Sequence, residues 1–271
     1  MSKVLVVTSG KGGVGKTTST AALGAALAQA GEKVVVVDFD VGLRNLDLVM
    51  GAERRVVFDM INVIQGDAKL AQALIRDKRI DNLSLLPASQ TRDKDALTED
   101  GVAKIIDQLR LKFDWVICDS PAGIERGALM AMRHADIAVV VTNPEVSSVR
   151  DSDRIIGMLD SKTLKAERDE RIEKHLLLTR YDAGRAARGE MLKTEDVLEI
   201  LSIPLLGIVP ESVDVLNASN VGSPVTLNNP TSVAAKAYFD AARRLRGEIL
   251  EVVVPIERKG LMGRLFGRRV A

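Results

Sequence analysis

Short, continuous apolar runs recur along the chain, and each is followed by a polar or glycine-containing stretch and then by a segment with helical spacing. The β-branched run Val34-Val35-Val36-Val37 is typical of a strand that is covered on both faces of a parallel sheet. The order strand, loop, helix, strand over residues 4–38 is a right-handed βαβ unit. The pattern predicts an α/β fold with a single open, mostly parallel sheet and helices on both faces.

The same spacing predicts the individual elements. We expect strands at residues 4–7, 33–38, 83–87, 113–119, 136–142, 176–180 and 205–210, and helices at 19–30, 60–76, 98–111, from 145 onward, 194–201 and 232–246. The charged stretch 160–174 is expected to be an exposed helix end and a loop. Serines and acids near Glu145 are consistent with capping of the helix that begins there.

A glycine-rich loop follows the first apolar run and fits the pattern G-x-x-x-x-G-K-[ST] of a phosphate-binding loop. Lys16 would reach the β- and γ-phosphates, the Thr17 hydroxyl would ligate Mg²⁺, and backbone N–H groups would surround the phosphate oxygens. The same glycines also spell the dinucleotide pattern G-x-G-x-x-G, but only a triphosphate–Mg²⁺ site needs both the lysine and the hydroxyl. The expected nucleotide-binding residues here are Gly10, Lys11, Gly12, Gly13, Val14, Gly15, Lys16, Thr17 and Thr18.

Acidic residues end two of the predicted strands. Asp38 and Asp40 follow the second apolar run, and Asp119 follows a third, in the manner of a Walker B carboxylate that holds Mg²⁺ directly or through water. The carboxyl ends of parallel strands line the active site of open sheets, so these acids should face the phosphates. The plainer alternative is that they only end strands and cap turns. The Gly123 amide could approach a γ-phosphate.

The composition narrows the class of protein. The 271 residues carry a formal net charge of +1, so nothing in the overall charge points to nucleic acid, and DNA is not an expected partner. The single cysteine, Cys118, excludes an intrachain disulfide framework and a multi-cysteine metal site. We see no secretory-signal pattern at the start and no apolar run long enough to cross a bilayer, so we expect a cytoplasmic location.

The composition changes after Gly247, and we divide the chain into a P-loop domain (1–247), a linker (248–255) and a tail (256–271). On a helical wheel the tail places four large apolar side chains on one face and a basic one opposite. Two glycines each cost about 1 kcal/mol of helix propensity, so the tail should be helical only when bound. We predict an amphipathic membrane-targeting helix on an anionic membrane surface; a helix docked on the body and a basic tail without structure are the alternatives. The residues expected to contact the membrane are Leu261, Met262, Arg264, Leu265 and Phe266.

The loop GKGGVGKTT resembles the deviant Walker A loop of the ParA/MinD family of ATPases. The stretches DFDVGLRNLDLVMG, CDSPAG, NPEVSSVRDSDR and the final RLFG are similar to the division-site members of that family, so the resemblance covers nearly the whole chain. It implies that Lys11 crosses a dimer interface to the other subunit's phosphates, as an arginine finger supplied in trans. A solvated lysine on a surface turn is the alternative.

The resemblance also assigns the remaining site residues. It implies that Asp40 positions the attacking water, so Lys11, Lys16 and Asp40 are the expected catalytic residues and Thr17, Asp38 and Asp119 the expected metal ligands. The nucleotide base is expected beside Arg180, Pro210 and Glu211, and Asp151 is expected on a surface that partners contact.

The implied function is an ATP hydrolase of bacterial division-site placement that uses ATP and Mg²⁺. It would form a homodimer with ATP, bind the inner face of the cell membrane as a peripheral protein, recruit a MinC-like inhibitor and be released when a MinE-like activator stimulates hydrolysis. The alternatives are a regulator of flagellar number from the same family, a DNA-partition ATPase, which would need a basic DNA-binding surface, and an NAD-dependent oxidoreductase.

Overall fold

In a computed structural model of the chain, residues 2–90 and 96–254 are described, and their strands form one open sheet. The strands are β1 (Lys3–Thr8), β2 (Val34–Asp38), β3 (Ile75–Arg76), β4 (Leu83–Leu86), β5 (Trp115–Asp119), β6 (Ile137–Thr142), β7 (Glu173–Tyr181) and β8 (Leu205–Pro210). Their order is β3-β4-β2-β5-β1-β6-β7-β8, and every neighbouring pair is parallel except β3 with β4. The predicted mostly parallel sheet is confirmed.

Helices cover both faces of this sheet, as predicted. They are α1 (Lys16–Gln29), α2 (Leu46–Val49), α3 (Met60–Gln65), α4 (Leu70–Ala73), α5 (Glu99–Arg110), α6 (Arg126–Arg133), α7 (Val146–Lys162), α8 (Leu164–Glu167), α9 (Ala183–Ala187), α10 (Thr194–Leu201), α11 (Val213–Asn220), α12 (Val225–Asn228) and α13 (Val233–Leu245), with a 3₁₀ turn at Glu53–Arg55. Alternate residues of each strand enter two apolar cores, so Val4 and Val6 face one layer and Leu5 and Val7 the other.

One predicted element is wrong in kind. Residues 60–76 do not form one helix but α3, α4 and the short strand β3. Gly66 ends α3 in the left-handed conformation, with a φ of 82°, and the chain restarts from an extended Lys69. The apolar spacing runs through this break, and only the glycine marks it. The charged stretch 160–174 is also more ordered than expected, because it contains α8 and the start of β7.

Three central strands bring the predicted site residues to one edge of the sheet. β2, β5 and β1 are neighbours, and the register pairs Asp38 with Asp119 and Asp119 with Val7. The loop that follows β1, the loop that follows β2 and the end of β5 therefore meet at one edge of the sheet. This is the edge where open parallel sheets bind ligands.

The chain beyond α13 lies against the body as far as the structure describes it. The Arg244 guanidinium donates to the carbonyl oxygens of Leu206, Leu250 and Glu251 at 2.9, 2.8 and 2.6 Å. In residues 2–90 and 96–254, no helix has the length and apolar character needed to cross a membrane. The predicted membrane-contacting residues of the tail lie outside these ranges, so their role stays a prediction.

Candidate functional site

The phosphate loop is shaped by its glycines. Gly13 and Gly15 have φ values of 76° and 99°, in the left-handed region that side chains other than glycine rarely adopt. Gly15 immediately precedes α1, so the free N–H groups at the start of that helix face the loop. These features fit the predicted anion cradle.

Lys16 is folded over this loop and is buried. Its Nζ donates to Ser9 Oγ at 2.9 Å and to the Lys11 carbonyl at 3.4 Å. Burial lowers the pKa of Lys16, while the charges of Asp119 and Asp40 act in the opposite direction. A cation held in this way over the cradle can pair with phosphate oxygens without leaving its position.

Asp119 and Asp38 form a buried acidic pair on neighbouring strands. The Thr20 hydroxyl donates to Asp119 Oδ1 at 3.0 Å, and the Thr17 hydroxyl also bonds to this carboxylate. Burial raises the pKa of Asp119 to about 6, against the lowering effect of those hydroxyls and of Lys16. The structure thus brings together the three residues predicted as metal ligands.

Asp38 accepts two backbone hydrogen bonds, from the N–H of Asp40 at 2.8 Å and of Leu46 at 3.2 Å. Burial, together with the neighbouring Asp119, nevertheless raises its pKa well above the usual range. Hydroxyl and carboxylate oxygens are the donors that Mg²⁺ prefers, and a divalent cation would offset the cost of holding both carboxylates ionised. The residues present therefore fit this metal.

Asp40 and Gly123 stand on the two loops that border the cradle. Asp40 is half-buried and lines a small cavity of about 50 Å³ together with Phe39 and Pro121. The Gly123 N–H donates to the Ser9 carbonyl at 3.2 Å. In this conformation the Gly123 amide is therefore bonded within the protein, and its approach to a γ-phosphate stays a prediction.

Lys11 contacts the start of α7 in its own chain. Its Nζ lies 3.2 Å from Glu145 Oε2 and 3.0 Å from Ser147 Oγ, and its side chain is 41% exposed. The predicted side-chain cap of α7 is wrong, because Glu145 makes no capping hydrogen bond and pairs with Lys11 instead. Asp151 lies one turn further along α7 and packs against the phosphate loop. A Cβ added to Gly10 would lie 2.3 Å from the carbonyl oxygen of Asp151.

A cavity of about 260 Å³ opens beside the phosphate loop. It is lined by Gly15 and Thr18 and by all three residues predicted to border the base: Arg180, Pro210 and Glu211. Tyr238 of α13 also lines it, and the Tyr238 hydroxyl is hydrogen bonded to Ser19 Oγ at 3.0 Å. The ends of β7 and β8 thus bring the expected base-binding residues together in one cavity beside the phosphate loop.

Sequence reasoning missed several residues that shape this site. Thr20 carried a usable signal, because it follows Lys16 by one helical turn and so lies on the same face of α1. Ser9 adjoins the motif, but its acceptor role for Lys16 depends on how the loop folds back. Glu145 is 134 residues from Lys11 in sequence, and no local pattern joins them.

Comparisons with known proteins agree with this arrangement. Residues 5–225 match the family of the CobQ/CobB/MinD/ParA nucleotide binding domain. The septum site-determining protein MinD of Escherichia coli K12 is 62% identical over 270 residues, which cover 98% of this chain and 100% of that protein.

Solved structures give the same result. A chain of the MinC:MinD cell division protein complex of Aquifex aeolicus has a TM-score of 0.82 and 41% identity, with coverage of 96% of this chain and 100% of that chain. The septum site-determining protein MinD complexed with Mg-ADP from Pyrococcus horikoshii has a TM-score of 0.79 and 32% identity, with coverage of 90% and 96%. The prediction of a division-site ATPase is confirmed over the flagellar, DNA-partition and oxidoreductase alternatives. The chain belongs to the MinD family of septum site-determining ATPases.

Proposed function

We propose that this chain binds ATP and Mg²⁺ at the edge formed by β1, β2 and β5 and that it hydrolyses ATP there. The observation that carries the proposal is the placement of buried Lys16 and the Asp38–Asp119 pair around one glycine-shaped cradle. Mg²⁺ held by Thr17, Asp119 and Asp38 would supply positive charge to the phosphate oxygens. Asp40, beside the cradle, orients the attacking water. The Mg-ADP complex of the Pyrococcus horikoshii relative supports both ligands.

Lys11 acts across a homodimer in this proposal. Its side chain is partly exposed, and an exposed ion pair such as that with Glu145 contributes only about 1 kcal/mol or less. The phosphates of a nucleotide bound by the second subunit carry more negative charge than Glu145 does. Lys11 can therefore leave Glu145 for those phosphates at small energetic cost. ATP would therefore favour the dimer by giving each Lys11 a new partner.

The dimer then controls membrane binding. Four large apolar residues on one tail give only marginal membrane affinity, whereas two tails on one dimer make the second insertion intramolecular and raise the avidity by orders of magnitude. The protein would be peripheral on the inner face of the cell membrane. A MinC-like inhibitor would be recruited there, which the complex of the Aquifex aeolicus relative supports, and a MinE-like activator would trigger release. Asp151 on α7 belongs to the proposed partner surface.

Sedimentation with liposomes tests this proposal. The intact chain and a chain truncated after residue 255 are mixed with vesicles that contain anionic lipid, in the presence of ATP, a non-hydrolysable ATP analogue or ADP. We expect the intact chain to sediment only with the triphosphates and the truncated chain to stay in the supernatant. If the intact chain stays in the supernatant in every nucleotide state, the membrane proposal fails, and salt-dependent duplex DNA binding becomes the next assay.

A further inference from the structure

Arg79 joins two loops that are far apart in sequence. Its guanidinium donates to the Met50 carbonyl at 2.9 Å and to the Gly222 carbonyl at 3.1 Å. The same group is held by Asp77, whose carboxylate accepts from Arg79 Nη2 at 2.7 Å and from Nε at 3.1 Å. We call Asp77, Arg79 and the two carbonyl groups the Arg79 clasp.

Within the clasp, the buried Asp77 carboxylate orients the Arg79 guanidinium. Its side chain is almost fully buried, and it also accepts hydrogen bonds from the backbone N–H groups of Arg79 and Ile80 at 2.7 and 3.3 Å. Burial by itself would raise the pKa of Asp77, but the hydrogen bonds and charge of Arg79 hold it below the usual value. The carboxylate is thus ionised at neutral pH and fixes the plane of the guanidinium.

The two loops that the clasp joins are in direct backbone contact. Gly51 and Gly222 have φ values of 63° and 65°, and a Cβ on Gly51 would lie 2.5 Å from the Gly222 carbonyl oxygen. Two glycines that meet in this way form a contact with little room for adjustment. The Arg79 guanidinium bonds to the carbonyl groups on both sides of it.

Each loop leads to a different part of the nucleotide site. Gly222 follows α11, which lines the base cavity with Val215, Leu216 and Ser219. Met50 follows α2, whose first residue, Leu46, donates its N–H to Asp38. The clasp therefore links the helix beside the base to the segment that holds a metal-binding acid.

We propose that Arg79 is a positioning residue that holds α11 in place against the nucleotide base. Arg79 does not line the base cavity, and it acts through the Gly222 turn. The proposal rests on the assignment of the α11 cavity to the base under the proposed function. It predicts that loss of the clasp weakens contacts with the base and leaves contacts with the phosphate loop unchanged.

Binding of ADP and of inorganic pyrophosphate separates these two effects. ADP affinity is measured by titration calorimetry, and pyrophosphate affinity by competition with ADP, for the full chain and for Arg79→Met, Asp77→Asn and the double variant. Arg79→Met removes every side-chain donor of the clasp but keeps an apolar stem and the backbone N–H that donates to Asp77. The matched control is Arg76→Met, because Arg76 is an exposed arginine nearby whose Nε donates to the Asp81 carbonyl.

We expect Arg79→Met to weaken ADP binding roughly three- to tenfold, with pyrophosphate affinity within about twofold of the parent. Asp77→Asn, which leaves Arg79 in place, should weaken ADP binding less, and the double variant should resemble Arg79→Met because both changes act on one unit. The Arg76→Met control should match the parent.

Two results would overturn the proposal: ADP affinity of both single variants within twofold of the parent, or equal losses for ADP and pyrophosphate, which would indicate a general loosening of the site. Failure of the parent chain itself to bind ADP would instead refute the proposed nucleotide function, and the clasp proposal with it.

Discussion

Gly10 is the position where the structure makes the most direct stability prediction. A Cβ added there would lie 2.3, 2.4 and 2.5 Å from the carbonyl oxygen, the carbonyl carbon and the Cβ of Asp151. Ordinary contacts begin at 3.4 Å, so the nearest atom is too close by about 1.1 Å. Because two of the three atoms belong to the backbone of α7, no side-chain rotation relieves the clash. Gly10→Ala must move the phosphate loop away from α7.

Over-packing of a tight contact costs typically about 1 to 3 kcal/mol, and a clash with backbone belongs at the upper end of that range. At about 2 to 4 °C per kcal/mol for a domain of this size, Gly10→Ala should lower the melting temperature by roughly 6 °C or more. Gly12→Ala is the matched control, because a Cβ at Gly12 meets only the Ala122 Cβ, at 3.9 Å. It should change the free energy of unfolding by less than about 1 kcal/mol.

Thermal unfolding followed by circular dichroism, without nucleotide, measures both variants against the parent chain. A melting temperature of Gly10→Ala within about 2 °C of the parent would refute the inference that the loop and α7 are locked together at this contact. Equal losses for the two alanine variants would refute it too, because Gly12 has space for a methyl group and Gly10 does not.

Two further predictions concern α7 and the acidic pair. Gly157 lies within α7 with no atom near its missing Cβ, so Gly157→Ala should raise stability by roughly 0.5 to 1 kcal/mol in urea unfolding, and a loss of stability would contradict this. Burial raises the pKa of Asp119 to about 6, so between pH 4 and pH 6 the folded state keeps a proton that the unfolded state has lost. The stabilisation from Asp119 is therefore present below pH 4 and is lost as the pH rises to about 6, and Asp119→Asn should flatten the profile of unfolding free energy against pH over this range when Mg²⁺ is absent. If the unfolding free energies of the parent and of Asp119→Asn change with pH in parallel, this contribution of Asp119 is refuted.

The sequence predicts those features that local patterns determine. Apolar runs and glycines locate the phosphate loop, and the boundaries of α10 and β8 agree with the expected 194–201 and 205–210. The strand-ending acids Asp38 and Asp119 are predicted to meet because carboxyl ends of parallel strands share an edge. By contrast, the prediction of one long helix over 60–76 is wrong. The helical spacing of apolar residues continues across Gly66, where the first helix ends, so this spacing does not reveal the break.

Contacts between distant segments leave no such pattern. The Lys11 contact with Glu145, and the hydrogen bond from Thr179 Oγ1 to the Val14 carbonyl at 2.6 Å, each cross more than a hundred residues. Both depend on the positions of β6 and β7 in the strand order, which apolar spacing does not encode. Arg79 is a similar case, because its role depends on the two loops that flank it in space and not on its neighbours in sequence.

The acidic pair Asp38 and Asp119 couples the proposed metal site to the fold. Parallel register fixes Asp38 and Asp119 side by side in the sheet, so their repulsion cannot be relieved by a change of rotamer alone. Burial and mutual repulsion favour protonation, whereas the hydroxyls of Thr17 and Thr20 and the backbone N–H groups at Asp38 favour the ionised form. Both carboxylates thus already accept hydrogen bonds, and Lys16 places one positive charge near Asp119. A divalent cation bound as proposed would add further positive charge without rearranging the sheet, so the energy that the adjacent acids cost the fold would become affinity for the metal.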